Sequence, residues 1–330
     1  MAMHLAQTKT LTSLVGALMY LVCGEALFDV FLDHEDNPGN LRFDARAGGS
    51  PFNVAIGLAR LGGQSGLLTG ISTDTLGARL VKLLEAESVS TAYLLRPQRR
   101  TTLSLVALDD AGHAEYVFYG LGSADCSVRR EELPAIGPEV TGFHFGSYSL
   151  VVQPVADAFA AVAATAQERF VSVDPNVRPT VEPDLDVWRA RVSEYVGYAD
   201  LIKISSEDLA FLYPDRKAES KAVDWLDAGV QAVVVTDGGN AVRGWTRGGD
   251  EVSLTPPVFH VVDTVGAGDS FQAALLARLA VKGDPKKVVA SLDAESLSEL
   301  LGYALKAAAV TCSRRGADLP RSDEILAHES

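Results

Sequence analysis

A chain of 330 residues, 47% hydrophobic and 22% charged, is long enough to bury one large core and has the composition of an ordinary α/β protein. Its formal net charge of −14 comes without a cluster of Lys and Arg, which argues against a nucleic-acid binder; any anion must be held by local amides and a few cations. Three widely separated cysteines (Cys23, Cys126, Cys312) and six histidines without ligand spacing argue against a disulfide framework or a zinc site, and suit a reducing, cytoplasmic compartment.

Residues 1–18 read as an N-terminal extension. Leu11 to Val22 is apolar behind Lys9, but it runs into Cys23-Gly24-Glu25 without a cleavage site, so a signal peptide is the weaker reading. Met19 is a natural start for a first strand, Tyr20 to Cys23, and the domain is expected to span 19–330. No other stretch approaches membrane-spanning length, so no membrane partner is expected. Asp29 follows the first strand; its carboxylate can accept hydrogen bonds from hydroxyls, with a solvated loop Asp as the plain alternative.

Gly48-Gly49-Ser50-Pro51-Phe52-Asn53 leads into a helix whose apolar positions are Val54, Ile56, Leu58 and Leu61, with Gly62-Gly63 at its end. Pro51 suits a first helical turn. The glycines let backbone approach a ligand, and the Asn53 amide can both donate and accept. Leu67 to Gly70 reads as a strand and Thr75 to Glu87 as a helix. Thr102 to Ala107 and Glu115 to Tyr119 alternate around Asp109-Asp110-Ala111-Gly112, a hairpin pattern.

From there strands and helices alternate: strand Gly142 to Phe145, helix Pro154 to Arg169, strand Phe170 to Val173, strand Leu201 to Ile204, strand Ala232 to Val235. Ser253 to Val262 is expected to form edge strands, and Leu297 to Cys312 a long apolar helix. The alternation predicts an α/β fold with a doubly wound, mostly parallel sheet flanked by helices.

Asp263-Thr264-Val265-Gly266-Ala267-Gly268-Asp269-Ser270-Phe271 stands out. Phe271, Leu275, Leu276 and Leu279 recur at helix spacing, so the glycines sit at a helix mouth, where unpaired amides can hold an anion. A carboxylate, Asp269, occupies the same turn. A site that both holds phosphate and takes a proton from an attacking hydroxyl needs that combination. The same nine residues also read as a Gly-rich turn with Asp as a cap.

Asp263-Thr-x-Gly-Ala-Gly-Asp-x-Phe271 resembles the C-terminal signature of the PfkB (ribokinase-like) sugar kinases, and Gly48-Gly-x-Pro-x-Asn-x-Ala55 resembles their other signature. Gly24-Glu-x-Leu-x-Asp29, His144-Phe-Gly-Ser147 and Asp174-Pro-Asn-x-Arg178 are similar to bacterial fructokinases. The resemblance covers residues 19–320. It implies a ribokinase-like domain with a small β-sheet lid built from strands near 26–45 and 101–120, and an ATP- and Mg²⁺-dependent transfer to a sugar hydroxyl, most like fructose. Asp269 would be the base, with amides of Gly266, Ala267, Gly268 and Asp269 as the anion hole. Asp29, Gly48, Gly49 and Asn53 would hold the sugar. Asn176 and Arg178 would lie near substrate or phosphates, with a turn and structural ion pair as the alternative.

The family's Asn-x-x-Glu is represented here by Ser205 and Asp208, and Asp208 would support hydrated Mg²⁺, with Glu207 as the alternative ligand and Ser206 as a simple helix cap. Thr236 and Gly238 would flank the nucleotide. The Asp263 loop and the loop after Cys312 would enclose K⁺, as in some relatives. Gly120 stands where an Arg is usual, and no Asn occurs near Leu305, so the base would be held by apolar contact. The resemblance also implies a homodimer paired through the lid. A 2-keto-3-deoxygluconate kinase is the runner-up, and a non-catalytic sugar-binding protein is the reading from a different class.

Overall fold

The computed structural model describes residues 19–37, 39–108, 114–166 and 168–327. The extension at 1–18 and the turn at 109–112 therefore lie outside the described residues. Among the described residues thirteen strands follow in chain order. They are β1 Met19–Cys23, β2 Leu27–Asn37, β3 Asn40–Gly48, β4 Gln64–Gly70, β5 Leu94–Leu95, β6 Thr102–Leu108, β7 Ala114–Tyr119 and β8 Val140–Gly146, then β9 Phe170–Asp174, β10 Leu201–Ser205, β11 Ala232–Thr236, β12 Val242–Thr246 and β13 Glu251–Leu254. The described α-helices are α1 Ser50–Arg60, α2 Thr75–Ala86, α3 Val155–Ala164, α4 Leu185–Val196, α5 Ser206–Leu212, α6 Ala218–Asp227, α7 Ala267–Lys282, α8 Pro285–Ala290, α9 Ala294–Cys312 and α10 Ser322–Ala327.

Nine strands form one sheet in the order β13-β12-β11-β10-β9-β8-β1-β4-β5. Pairing is parallel from β5 to β11 and antiparallel for β11–β12 and β12–β13. β1 is apolar on both faces, and its residues divide by the period of a strand. Tyr20 and Val22 enter the core under α1, α2, α7 and α9, whereas Leu21 and Cys23 enter the core under α3, α4, α5 and α6. The chain leaves β1 for β4 on one side and returns to β8 on the other. The crevice at the carboxyl ends of β1 and β8 is thus the topological switch point, where open α/β sheets bind ligands.

A second sheet has the order β3-β2-β6-β7. Register decides its two faces. Leu27, Asp29 and Phe31 share a face with Thr102, Ser104, Val106 and Phe118, while Phe28 and Val30 lie on the other with Leu103, Leu105, Val117 and Tyr119. β6 and β7 pair antiparallel, as the alternation around 109–112 predicts.

Two expected elements come out shorter. The edge strand ends at Leu254, and residues 255–264 carry no strand. Pro256 and Pro257 have no N–H to give a ladder, and Val258, Val261 and Val262 are left exposed beyond them. The helix expected over 154–169 ends at Ala164, where Thr165 Oγ1 donates to the Val162 carbonyl at 2.8 Å and competes with helix continuation.

Candidate active site

Two helix N-termini face one another across the switch point. Gly49 caps α1 with φ 102°, and Gly266 caps α7 with φ 80°; both are left-handed conformations that favour glycine. A Cβ on Gly266 would also lie 2.7 Å from the Ala317 side chain. From the first turn of α1, Ser50 Oγ donates to Asp269 Oδ1 at 2.7 Å and Asn53 Nδ2 donates to Asp269 Oδ2 at 2.8 Å. Burial raises the Asp269 carboxyl above the usual carboxylate range, and the Asn53 and Ser50 donors, with the Lys203 charge, oppose it.

The helical ladder of α7 starts with Ser270 N donating to Gly266 O at 2.8 Å, so the amides of Gly268 and Asp269 precede it. The Ala267 N–H, one of the amides expected to hold an anion, donates to Thr264 O at 3.2 Å. Lys203 Nζ lies 3.3 Å from where a Cβ on Gly268 would sit. It is buried and paired with Asp174 Oδ2 at 2.6 Å, which places a cation directly behind the turn.

Gly49, Ser50, Asn53, Gly266, Gly268 and Asp269 line a cleft of about 680 Å³ between the small sheet and the body. Of the sequence-predicted residues it brings together Asp29, Gly49, Asn53, Asn176, Arg178, Glu207, Asp208, Gly266, Gly268 and Asp269. Asp29 projects from β2. Burial pushes its carboxyl up to about 6, opposed by a hydrogen bond from Ser104 and the Arg178 charge. Gly48 ends β3 beside it, and a Cβ there would lie 2.5 Å from Asp29 Oδ2. Asn176 (φ 42°) and Ser147 (φ 60°) are left-handed non-glycine residues that both line the cleft, so backbone strain is concentrated there. Among the described residues no carboxylate pairs with Arg178; its Nη1 donates to the carbonyls of Asn176 and Val177.

Asp208 is buried and accepts from Val177 N at 3.1 Å. Burial and the Asp174 charge push its carboxyl up to about 6. Asp174 Oδ1 has no partner. Asp208 and its neighbour Glu207 both line the cleft, and carboxylate oxygens there fit a hydrated divalent cation. No cluster of three or more His, Cys, Asp or Glu converges among the described residues.

Six predicted residues lie outside the cleft lining. Gly48 and Ala267 are described above. Ser205, rather than Ser206, caps α5, its hydroxyl accepting from Asp208 N at 3.0 Å. Ser206 instead donates to Asp237, between Thr236 and Gly238, joining the ends of β10 and β11. Asp263 accepts from Val265 N at 3.0 Å and Gly316 N at 2.8 Å, which ties its loop to the one after Cys312.

Sequence reasoning missed Ser50, Lys203, Asp174 and Glu25. Ser50 stood inside a quoted motif, between Gly49 and Pro51. Lys203 left a signal as well: a charged residue within the otherwise apolar Leu201 to Ile204.

The chain resembles known proteins over almost its whole length. The sequence model of the pfkB family carbohydrate kinases matches residues 17–324. A fructokinase from Rhizobium leguminosarum bv. trifolii is 36% identical over 281 residues, 84% of this chain and 85% of that protein. A crystal structure of fructokinase with bound ATP from Xylella fastidiosa superposes with a TM-score of 0.87 at 28% identity, covering 94% of this chain and 97% of that one. A fructokinase double mutant from Vibrio cholerae O395, in a form with fructose, ADP and potassium ion bound, gives a TM-score of 0.81 at 27% identity, covering 94% and 97%.

Proposed function

The chain belongs to the pfkB family of carbohydrate kinases, and on that premise we propose that it transfers the γ-phosphoryl group of ATP to a hydroxyl of a neutral sugar, with fructose converted to fructose 6-phosphate. The observation that carries this reading is Asp269, held by Ser50 and Asn53 beside the Gly266–Gly268 turn and opening into the same cleft as Asp29. Asp269 accepts the proton of the attacking hydroxyl. The sugar oxygen bonds to the γ-phosphorus as the bond to the β–γ bridging oxygen breaks, and ADP leaves with that electron pair. The amides of Gly268 and Asp269, with Lys203 behind them, stabilise the charge on the transferring group.

Asp29 and Asn53 orient the sugar, with Gly48 and Gly49 leaving room for it. Asn176 and Arg178 approach its far side or the phosphates. Mg²⁺, when bound with the nucleotide, neutralises charge on the β- and γ-phosphates, and Asp208 and Glu207 are the residues placed to hold its waters. Ser205, Thr236 and Gly238 flank the nucleotide on the β10 and β11 side, and the joined loops at Asp263 and Gly316 are the seat of a monovalent cation. Residues 19–330 form the kinase domain, with the small sheet as its lid. That lid excludes water from the phosphoryl group.

A neutral sugar suits the charge of the cleft. Besides Glu25, its lining carries the acidic residues Asp29, Glu207, Asp208 and Asp269 against the single cation Arg178. Gly120, having no side chain, supplies no second. A sugar acid such as 2-keto-3-deoxygluconate would meet mostly like charge. The outer face of the lid exposes Leu32, Phe43, Val117 and Tyr119, which supports pairing of two subunits through it. No helix among the described residues is long and apolar enough to cross a membrane. The three cysteines are free and buried, which supports a reducing, cytoplasmic location.

The test is ADP release from ATP and Mg²⁺ with fructose, glucose, ribose and 2-keto-3-deoxygluconate, beside Asp269→Ala. Fructose is expected to give the fastest turnover, falling by about 10²–10⁴-fold in the variant. Turnover with the keto acid alone would overturn the substrate and keep the mechanism. An Asp269→Ala variant as fast as wild type would overturn the base.

A further inference from the structure

One cleft residue has no part in the chemistry above. Glu25 lies in the turn after β1, at the carboxyl end of the central strand, and lines the cleft while only 2% exposed. It packs directly beneath the signature turn: a Cβ on Gly49 would lie 2.9 Å from the Glu25 carbonyl oxygen and 3.2 Å from its Cγ. The next residue, Ser50, holds Asp269. Ser147 hydrogen-bonds the Glu25 carboxyl, yet Oε2 has no partner. Buried polar oxygens without a partner are uncommon in folded proteins, and this one belongs to a residue that lines the cleft.

We propose that Glu25 is a sugar-binding residue, its Oε2 forming a hydrogen bond with a hydroxyl oxygen of the bound substrate. The neighbours leave that role open. Asp125, from the short helical turn Asp125–Ser127, is saturated by Thr102, by Ser123 at 2.7 Å and by Tyr148 Oη at 2.6 Å. The titratable or charged groups facing Glu25 are Asp125 and Cys126 from that turn, Tyr148 after β8 and Arg178 after β9. Burial, with a smaller contribution from the Asp125 charge, pushes the Glu25 carboxyl up to about 8, opposed by Ser147 and Arg178. At neutral pH it therefore carries a proton and donates to the sugar oxygen. Burial also raises the Cys126 thiol and the Tyr148 phenol far above neutrality, so neither ionises between pH 7 and 9.

This assignment rests on the sugar-kinase reading, and the experiment separates the two. KM and kcat for the best sugar are measured from pH 7 to 9 at saturating ATP for wild type, Glu25→Gln and Glu25→Leu, with thermal melts to establish folding. Wild-type KM is expected to rise above pH 8, approaching about tenfold per pH unit, with kcat changed less than about twofold. Glu25→Gln keeps a donor, so its KM should stay within about threefold of wild type at pH 7 and remain flat to pH 9. Glu25→Leu should raise KM at pH 7 by at least about fivefold. If Glu25→Gln retains the alkaline rise, or folded Glu25→Leu keeps the wild-type KM, Glu25 does not touch the sugar and the kinase reading stands. If wild type turns over no sugar, both fall.

Discussion

Asp269 is held between opposed effects. Burial disfavours its charge, and two short hydrogen bonds from α1 favour it. A base must be ionised to accept a proton, so activity is lost as pH falls through its pKa. Removing one donor leaves burial less opposed and moves that pKa upward. Asn53→Ala is thus expected to shift the acid limb of the kcat/KM profile to higher pH, and Ser50→Ala to do the same. An unchanged acid limb in both variants would mean that another group sets it. Neither hydroxyl nor amide needs to touch the sugar for this effect, which separates it from a simple loss of binding.

At the scale of elements, the site is made by the ends of strands and the mouths of two helices. β9 and β10 run parallel and bring Asp174 beside Lys203; α7 then sets its first turn over Lys203. Breaking a buried ion pair by removing one member leaves an uncompensated charge, at a cost of roughly 3–5 kcal/mol. Lys203→Met should lower the melting temperature by several degrees and kcat by at least about tenfold. Adding Asp174→Leu should restore most of the stability, because the stranded charge is gone, while kcat stays low. Recovery of kcat in the double variant would show that Lys203 serves packing and not the phosphoryl group.

The whole molecule is a three-layered body with a second sheet hinged onto its switch point. One face of that sheet closes the cleft with Leu27, Asp29, Phe31 and Phe118. The other begins against the body at Phe28 and Val30 and ends exposed at Leu32, Phe43, Val117 and Tyr119. If lids pair through that exposed end, wild type sediments as a dimer and Phe43→Asp as a folded monomer. A wild-type monomer at micromolar concentration would remove the pairing. Because the two faces alternate along the same strands, a change on the outer one is also felt at the sugar, and the monomeric variant is expected to raise KM more than it lowers kcat.

Local conformation was legible from the amino-acid order alone. The helix starts after the glycines at 48–49 and 266–268, the helix periods that follow and the apolar run of β1 are properties of short segments, and so could be read there. So could the doubly wound sheet, because alternation of strand and helix admits few topologies. The end of β13 at Leu254 was legible too, had Pro256 and Pro257 been weighed above the β-branched residues beyond them. Tertiary structure alone decided which groups far apart in the chain meet. Nothing local links Ser50 and Asn53 to Asp269, Lys203 to Gly268, or Glu25 to the turn at Gly49. Those contacts depend on strand register and helix packing, and so do the burial of each carboxyl and the direction of its shifted pKa.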